Sequence, residues 1–183
     1  LPNAITNARI LTLLNLTNNP IKELPPLPRT LQNLYIGYCG IKSLNSCLKF
    51  CSKLVLLDAP GNRLTDVPYL PSIRRLLLAR NSFQTFPEHL HQKLLTLDLS
   101  CNQISTLPDN FNFSDLDELD LSDNPISNFP RNFQCPKLKF LRLNNTQINT
   151  HFHVSQFFTS NNCLELEVLD IINSGVTFDI EPN

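Results

Sequence analysis

The chain has 183 residues, of which 42% are hydrophobic and 17% are charged, and its formal net charge is -1. This length is typical of one domain, and the composition is too apolar and too weakly charged for a disordered chain. Basic and acidic residues are nearly equal in number, so the chain lacks the excess of basic residues found in proteins that bind nucleic acids or anionic membranes. No apolar run reaches the roughly 18 residues of a membrane-spanning helix, and residues 1–10 lack the apolar stretch of a signal peptide. The chain contains no Met, which indicates a processed form or an excised fragment.

After a polar N-terminal flank, residues 1–10, one pattern repeats along almost the whole chain. The pattern is L-x-x-L-x-L-x-x-N-x-L, and its eight copies begin at Leu11, Leu31, Leu54, Ile73, Leu94, Leu116, Leu138 and Leu166. The fourth position is Leu in every copy, and the sixth is Leu or Ile in every copy except the third, where it is Ala59. With a C-terminal flank at residues 177–183, the sequence predicts a single domain, residues 1–183, of eight repeats.

The L-x-L alternation in each copy predicts a short strand with one buried face. A unit of about 20 residues cannot enclose a core of its own, so neighbouring units must stack to bury these faces. Stacking in register produces a solenoid with a parallel sheet, in which equivalent positions form columns about 4.8 Å apart.

The segments between the predicted strands differ from repeat to repeat. ELPPLP (23–28) and DVPYLP (66–71) are rich in Pro, which favours extended or polyproline conformations. SLNSCLKFCSKL (43–54) has apolar residues at helical spacing and predicts a short helix, and HVSQFFTSNN (153–162) is a second helix candidate. Many of the twelve Phe residues fall in these segments, and we expect an apolar spine there that includes Phe83, Phe86, Phe111, Phe113, Phe129 and Phe133.

The ninth position of the repeat holds a polar residue that the stacking buries. It is Asn19, Asn62, Asn81, Asn102 and Asn124 in five copies, and Cys39, Thr146 and Ser174 in the others. A buried Asn needs hydrogen-bond partners, and the backbone of the next repeat can supply them. These residues are therefore predicted to be structural.

The eight copies resemble the leucine-rich repeat family over residues 11–176. The resemblance implies an α/β solenoid shaped as a curved horseshoe, with a parallel β-sheet on its concave face and short helical, 3-10 or polyproline segments on its convex face. ELPPLPRTLQNLYI and DVPYLPSIRRLLLA are similar to the L-P-x-L-P repeats of bacterial effector proteins delivered into host cells. The other copies look more like the ordinary intracellular class. Some such effectors carry a ubiquitin-ligase domain with a catalytic C-x-D, but no Cys of this chain is followed two residues later by Asp.

The six Cys are predicted to be free thiols in a reducing compartment. Cys51, Cys135 and Cys163 each lie three residues before a repeat begins, where most other copies have small or apolar residues, so we expect them to be buried. Cys47 and Cys51 are one helical turn apart, too far for an unstrained disulfide, while pairing of Cys135 with Cys163 remains open. Secreted members of the family usually carry clustered cysteines in flanking caps, and no such cluster is present.

The sequence lacks the motifs that carry enzymatic or metal chemistry. It has four Gly and no Gly-rich phosphate loop, no G-x-S-x-G and no H-E-x-x-H. His89 and His91 form one pair and His151 and His153 another, but no further ligands follow at a familiar metal spacing. We therefore expect no catalytic activity, no metal and no cofactor.

The outward positions of the predicted strands are the best candidates for binding. Aromatic residues and Arg are enriched at interface hot spots, and opposed charges orient a partner. The predicted partner-binding residues are Tyr35, Tyr38, Leu56, Asp58, Arg75, Leu77, Arg80, Asp98, Glu118, Asp120, Phe140 and Arg142.

These observations favour a non-catalytic protein-binding module of a bacterial effector, which binds a host protein in the host cytoplasm. No nucleic acid, membrane or small-molecule substrate is expected. Two alternatives remain: a substrate-recognition part of a larger enzyme such as a leucine-rich repeat ubiquitin ligase, and an extracellular receptor-like domain.

Overall fold

A computed structural model describes residues 1–90, 92–148 and 163–176. The chain begins with a short 3-10 helix, Asn3–Asn7, and continues through three-residue strands. The strands are β1 Leu13–Asn15, β2 Asn33–Tyr35, β3 Leu56–Asp58, β4 Arg75–Leu77, β5 Thr96–Asp98, β6 Asn110–Asn112, β7 Glu118–Asp120, β8 Asn132–Gln134, β9 Phe140–Arg142 and β10 Val168–Asp170. No helix among these residues is long and apolar enough to cross a bilayer.

Each of the eight repeats contributes one strand to a parallel sheet of order β1-β2-β3-β4-β5-β7-β9-β10. The register aligns the fourth-position residues, as in the pairing of Leu57 with Leu76 and of Leu76 with Leu97. These three Leu side chains are fully buried, because the sheet turns this position toward the core. The predicted parallel solenoid is thereby confirmed.

Four of the ninth-position Asn residues are buried and structural, as predicted, but their partners in other repeats lie in the preceding repeat rather than the next one: Asn62, Asn81, Asn102 and Asn124. The predicted burial of Asn19 is wrong, because the described residues include no repeat before the first one, and its side chain is exposed and, among those residues, bonds only within its own repeat. The Nδ2 group of Asn102 donates to the carbonyl of Leu99 in its own repeat (2.9 Å) and to that of Leu78 in the preceding repeat (3.1 Å). Its Oδ1 accepts the N–H of Phe83, also in the preceding repeat, at 3.1 Å. The partners belong to the preceding repeat because the Asn side chain packs against the coil that comes before it in the chain.

The prediction of a helix at residues 43–54 is wrong: this segment forms turns, a bend and irregular backbone. A single helical bond forms, from the N–H of Leu48 to the carbonyl of Leu44 (3.0 Å). The carbonyl of Cys47, which would accept the N–H of Cys51 in a continued helix, instead receives the N–H of Leu27 from the preceding repeat (2.8 Å). Stacking therefore diverts the carbonyl that a second helical turn would need. The other helix candidate, residues 153–162, lies outside the described residues.

A second, two-stranded parallel sheet was not predicted. It pairs β6 with β8 on the side of the solenoid opposite the main sheet, with Phe111 aligned to Phe133. Both Phe side chains are buried, and their rings stack with centroids 4.9 Å apart. Phe86 packs edge-on against Phe111 at 5.2 Å, so the predicted Phe spine is present in these repeats. Residues 23–28 and 66–70, in the Pro-rich segments, are neither helix nor strand.

Candidate functional site

The candidate site is the outward surface of the eight-stranded sheet, which we call the concave face. It consists of the third- and fifth-position side chains of each repeat together with the eighth-position residue that follows each strand. Since the fourth position points into the core, its two neighbours must point outward. Ten of the twelve predicted binding residues lie in these strands, and Tyr38 and Arg80 occupy eighth positions.

An apolar and aromatic patch covers repeats two to four of the concave face. The register sets Tyr35 opposite Asp58 and Asp58 opposite Leu77, so the two apolar residues flank one carboxylate. Leu56 lies opposite Arg75 in the neighbouring column. Tyr35, Leu56 and Leu77 are all partly exposed, which leaves apolar surface available to a partner.

The eighth position has a left-handed backbone in every repeat. Its φ is between 53° and 64° at Asn18, Tyr38, Gly61, Arg80, Cys101, Asp123, Asn145 and Asn173. The conformation lets the hydrogen-bond ladder continue past the strands; the N–H of Tyr38, for example, donates to the carbonyl of Pro60 in the next repeat (2.8 Å). Gly, Asn and Asp tolerate this region, whereas Tyr, Arg and Cys adopt it at a cost of about 1–2 kcal/mol. Three repeats thus carry an unfavoured residue at this position.

The ring of Tyr38 lies where Gly61 has no side chain. A Cβ added to Gly61 would come within 2.4 Å of the Cδ1 and Cε1 atoms of Tyr38. Gly61 therefore serves two purposes, because it adopts the left-handed conformation without strain and leaves space for the neighbouring ring. Tyr38 is 54% exposed, so the ring is held by backbone on one side and open to a partner on the other.

Repeats five and six carry carboxylates on the concave face, and two of these are fixed by local hydrogen bonds. Oδ1 of Asp98 accepts the N–H of Ser100 and Oδ1 of Asp120 accepts that of Ser122, both at 2.9 Å. Burial, and then the nearby charge of Asp98, raises the pKa of Asp58. The pKa of Asp120 is also raised, chiefly by burial. A cation that approaches the face between Asp58 in repeat three and Asp120 in repeat six would therefore stabilise the ionised form of these carboxyls.

Arg142 is held within the chain. Its guanidinium contacts Glu118 Oε1 at 2.5 Å and Asp170 Oδ2 at 3.6 Å, and it lies over the ring of Phe140 at 5.9 Å. By contrast, Arg75 and Arg80 are exposed and form no ion pair within the described part of the chain. The cations free to meet a partner are thus in repeat four, beside the apolar patch.

Sequence reasoning missed Cys101 and the polar chain that it begins along the eighth position. Its thiol lies 3.5 Å from Asp123 Oδ2, whose other oxygen accepts from Asn145 Nδ2 at 2.8 Å. Asn173 Nδ2 in turn donates to Asn145 Oδ1 at 3.2 Å. Alignment of the eighth positions places these residues in one column, but the bonds between them depend on side-chain orientations that the sequence does not give.

No group of three or more potential metal ligands occurs among the described residues. His89 is exposed, while His91, His151 and His153 lie outside them.

Comparison with known proteins identifies the repeat. Two leucine-rich repeat family models match residues 91–106 and 115–135. The chain is 28% identical to osteomodulin from Bos taurus over 107 residues, which are 54% of this chain and 25% of that protein. The chain thus spans about a quarter of this relative's length.

Two solved structures of YopM share the fold. YopM from Yersinia enterocolitica superposes with a TM-score of 0.68 and 27% identity, covering 76% of this chain and 30% of that one. YopM from Yersinia pestis, described as a leucine-rich effector protein, gives a TM-score of 0.64 and 30% identity over 79% of this chain and 39% of that one.

Proposed function

Because this chain is a leucine-rich repeat protein, we propose that it is a non-catalytic protein-interaction module of a bacterial effector, which binds a host protein through its concave face. The observation that carries the proposal is the side-chain pattern of the concave face. Apolar side chains and the exposed cations Arg75 and Arg80 lie in repeats two to four, whereas carboxylates predominate in repeats five and six, on a surface that the fold leaves open.

The aromatic and basic half of the face supplies the contacts with the largest expected energies. Tyr and Arg are the types most often found at interface hot spots, where truncation costs about 2 kcal/mol or more. Tyr38 and Arg80 also occupy left-handed positions that Asn or Gly would fill with less strain. The presence of an aromatic residue and a cation in strained conformations on an exposed surface supports a binding role for these two side chains.

The acidic half orients the partner. Asp98, Glu118 and Asp120 lie in repeats five and six, next to the cations of repeat four. A partner with an acidic and a basic patch in matching order meets both halves in only one orientation, since the reverse order places like charges together. Likeness to YopM, a leucine-rich effector protein, supports the effector role.

The proposal predicts that four substitutions on the concave face abolish capture of the partner. The variant combines Tyr35→Ala, Tyr38→Asn, Arg75→Ala and Asp120→Asn. Asn keeps the left-handed backbone at position 38 and the acceptor for Ser122 at position 120, so the fold is retained. Immobilised protein is incubated with lysate of cultured human cells, and recovered proteins are quantified by mass spectrometry. We expect at least a roughly tenfold loss of the partner that the unaltered chain recovers.

The matched control removes similar side chains outside the concave face. Tyr69, Asp109 and Arg131 are exposed, and their combined replacement by Ala is expected to leave recovery unchanged. Undiminished recovery by the concave-face variant, or an equal loss in the control, would show that binding takes place elsewhere.

We further propose that the chain acts in a reducing compartment, the host cytoplasm. All six cysteines are free, and five of them are buried. The chain produced in a bacterial cytosol and the chain exported to an oxidising periplasm are therefore expected to show the same urea midpoint. Each is expected to yield six thiols on titration in denaturant without reductant. A lower thiol count together with a higher midpoint in the exported form would instead indicate structural disulfides and an extracellular domain.

A further inference from the structure

A polar cavity of about 650 Å³ opens beside the first three repeats, next to the loops that follow their strands. It is separate from the sheet surface except at Tyr38, whose exposed ring forms part of its wall. The charged residues that line it are Lys22, Glu23, Lys42 and Arg63.

The cavity has an excess of unpaired positive charge. Its three cations and one carboxylate give a formal charge of +2. Lys22 and Lys42 occupy the twelfth position of repeats one and two, and Arg63 the tenth position of repeat three, so three consecutive coils each contribute one cation. None of the three forms an ion pair with any residue that the structure describes. The exposed cations of the cavity therefore lack a counterion from the described part of the chain.

The rest of the wall suits a peptide. Gly40 has a φ of +78°, and a Cβ built on it would meet no atom within 4 Å, so the backbone here borders open space. Ser43 and Ser46 line the cavity with hydroxyl groups, and both are exposed. The ring of Tyr38, supported by Gly61, provides a flat surface on which an extended chain can pack.

We infer that this cavity binds an acidic peptide segment of the partner protein, with Lys22, Lys42 and Arg63 contacting neighbouring Asp or Glu carboxylates and Tyr38 contacting the peptide chain. A local charge of +2 matches two carboxylates. A chain whose net charge is -1 does not attract a long polyanion such as a nucleic acid. The inference rests on the proposed protein-binding function but assigns it a second contact, made by cations outside the concave face.

Fluorescence anisotropy with a fluorescein-labelled hexaglutamate peptide at low ionic strength tests the inference. The double variant Lys42→Gln/Arg63→Gln is expected to weaken binding by roughly fivefold or more, because each exposed ion pair contributes modestly. The control Lys53→Gln/Arg131→Gln removes the same charge from exposed sites elsewhere and is expected to change binding by less than about twofold. Added salt is expected to weaken binding to the unaltered chain, because the contacts are solvent-exposed.

Three results would overturn the inference: equal binding of a hexaglutamine peptide, equal weakening by both double variants, and absence of saturable binding. Tight binding of a phosphoserine peptide with none of hexaglutamate would assign the cavity to phosphate and reject the carboxylate assignment. The concave-face variant replaces Tyr38, which the two sites share, but Lys42→Gln/Arg63→Gln leaves every concave-face residue unaltered. Capture of the partner by this double variant therefore reports on the concave face alone, and hexaglutamate binding reports on the cavity.

Discussion

Replacement of Asn102 by Ala is expected to destabilise the protein by about 2–4 kcal/mol, since it leaves several buried backbone groups without a hydrogen-bond partner. The amide of Asn102 joins the carbonyls of Leu78 and Leu99 and the N–H of Phe83. Ala satisfies none of these groups, and the stacked coils exclude the water that would otherwise replace the side chain. Urea unfolding followed by circular dichroism measures the change.

Asn19 provides the matched control, because it occupies the same position in the first repeat. It is exposed and donates only to Leu16 and Thr17 of its own repeat, so Asn19→Ala is expected to cost less than about 1 kcal/mol. Asn102→Thr should lie between the two, since Thr146 makes the own-repeat bond in the seventh repeat, to Leu143 at 2.9 Å. Equal losses at positions 19 and 102 would contradict the role assigned to the contacts between repeats.

The main sheet could be predicted from the sequence because the same packing requirement applies in each of the eight repeats. Each fourth-position Leu must be buried, and a strand too short to bury it alone has only its neighbours to pack against. Leu34, Leu57 and Leu119 are accordingly fully buried in strands that pair in register. The same periodicity predicts the outward columns of the concave face, because the residues on either side of each buried Leu must point away from the core.

The segments between the main strands were harder to predict, since contacts between repeats override local preference there. The pattern at residues 43–54 is helical by itself, but the carbonyl of Cys47 bonds to Leu27 of another coil. The second sheet carries a weak signal of its own, N-F-N at Asn110 and N-F-Q at Asn132, 22 residues apart. Two copies of a three-residue motif do not suffice to predict a sheet.

The candidate site was predicted as a set of positions, but its charge pairing was not. The sequence shows that Arg142 and Asp170 share a column, whereas only the structure shows that Arg142 also bonds Glu118 in the other column. Similarly, the left-handed backbone at Tyr38 follows from the loop geometry after each strand. The sequence indicates this conformation only indirectly, because the equivalent position of other repeats holds Asn or Gly, which tolerate a left-handed backbone, as at Asn18 and Gly61.

The largest pH effect is expected above about pH 9, where ionisation of buried thiols should unfold the protein. Burial raises the pKa of Cys51 to about 11 and that of Cys163 to about 12. At Cys47, burial and then the neighbouring thiol of Cys51 raise the pKa to about 12. Burial also raises the pKa of Cys135 strongly. The unfolded chain therefore loses these protons at lower pH than the folded chain does, so the free energy of unfolding falls as the pH rises through the ordinary thiol range.

Each such thiol lowers the free energy of unfolding by about 1.4 kcal/mol per pH unit once the pH exceeds its unfolded pKa. Four thiols together are expected to remove about 6–7 kcal/mol between about pH 9 and pH 10.5, which is comparable to the whole stability of a typical domain. Urea midpoints measured at intervals between about pH 7 and pH 10.5 should be level at first and then decline steeply. The double variant Cys47→Ala/Cys135→Ala is expected to halve the slope of the decline, although cavities in the core lower its stability at every pH.

Cys101 supplies the control for this slope. It is only partly buried, and its pKa is raised by burial together with Asp123 and Asp98, against an opposing effect of Arg80. Since Tyr and Lys ionise equally in all variants, Cys101→Ala should leave the alkaline slope close to that of the unaltered chain. A slope that the double variant does not change would mean that the buried thiols are not the titrating groups, and that groups common to all variants cause the alkaline loss.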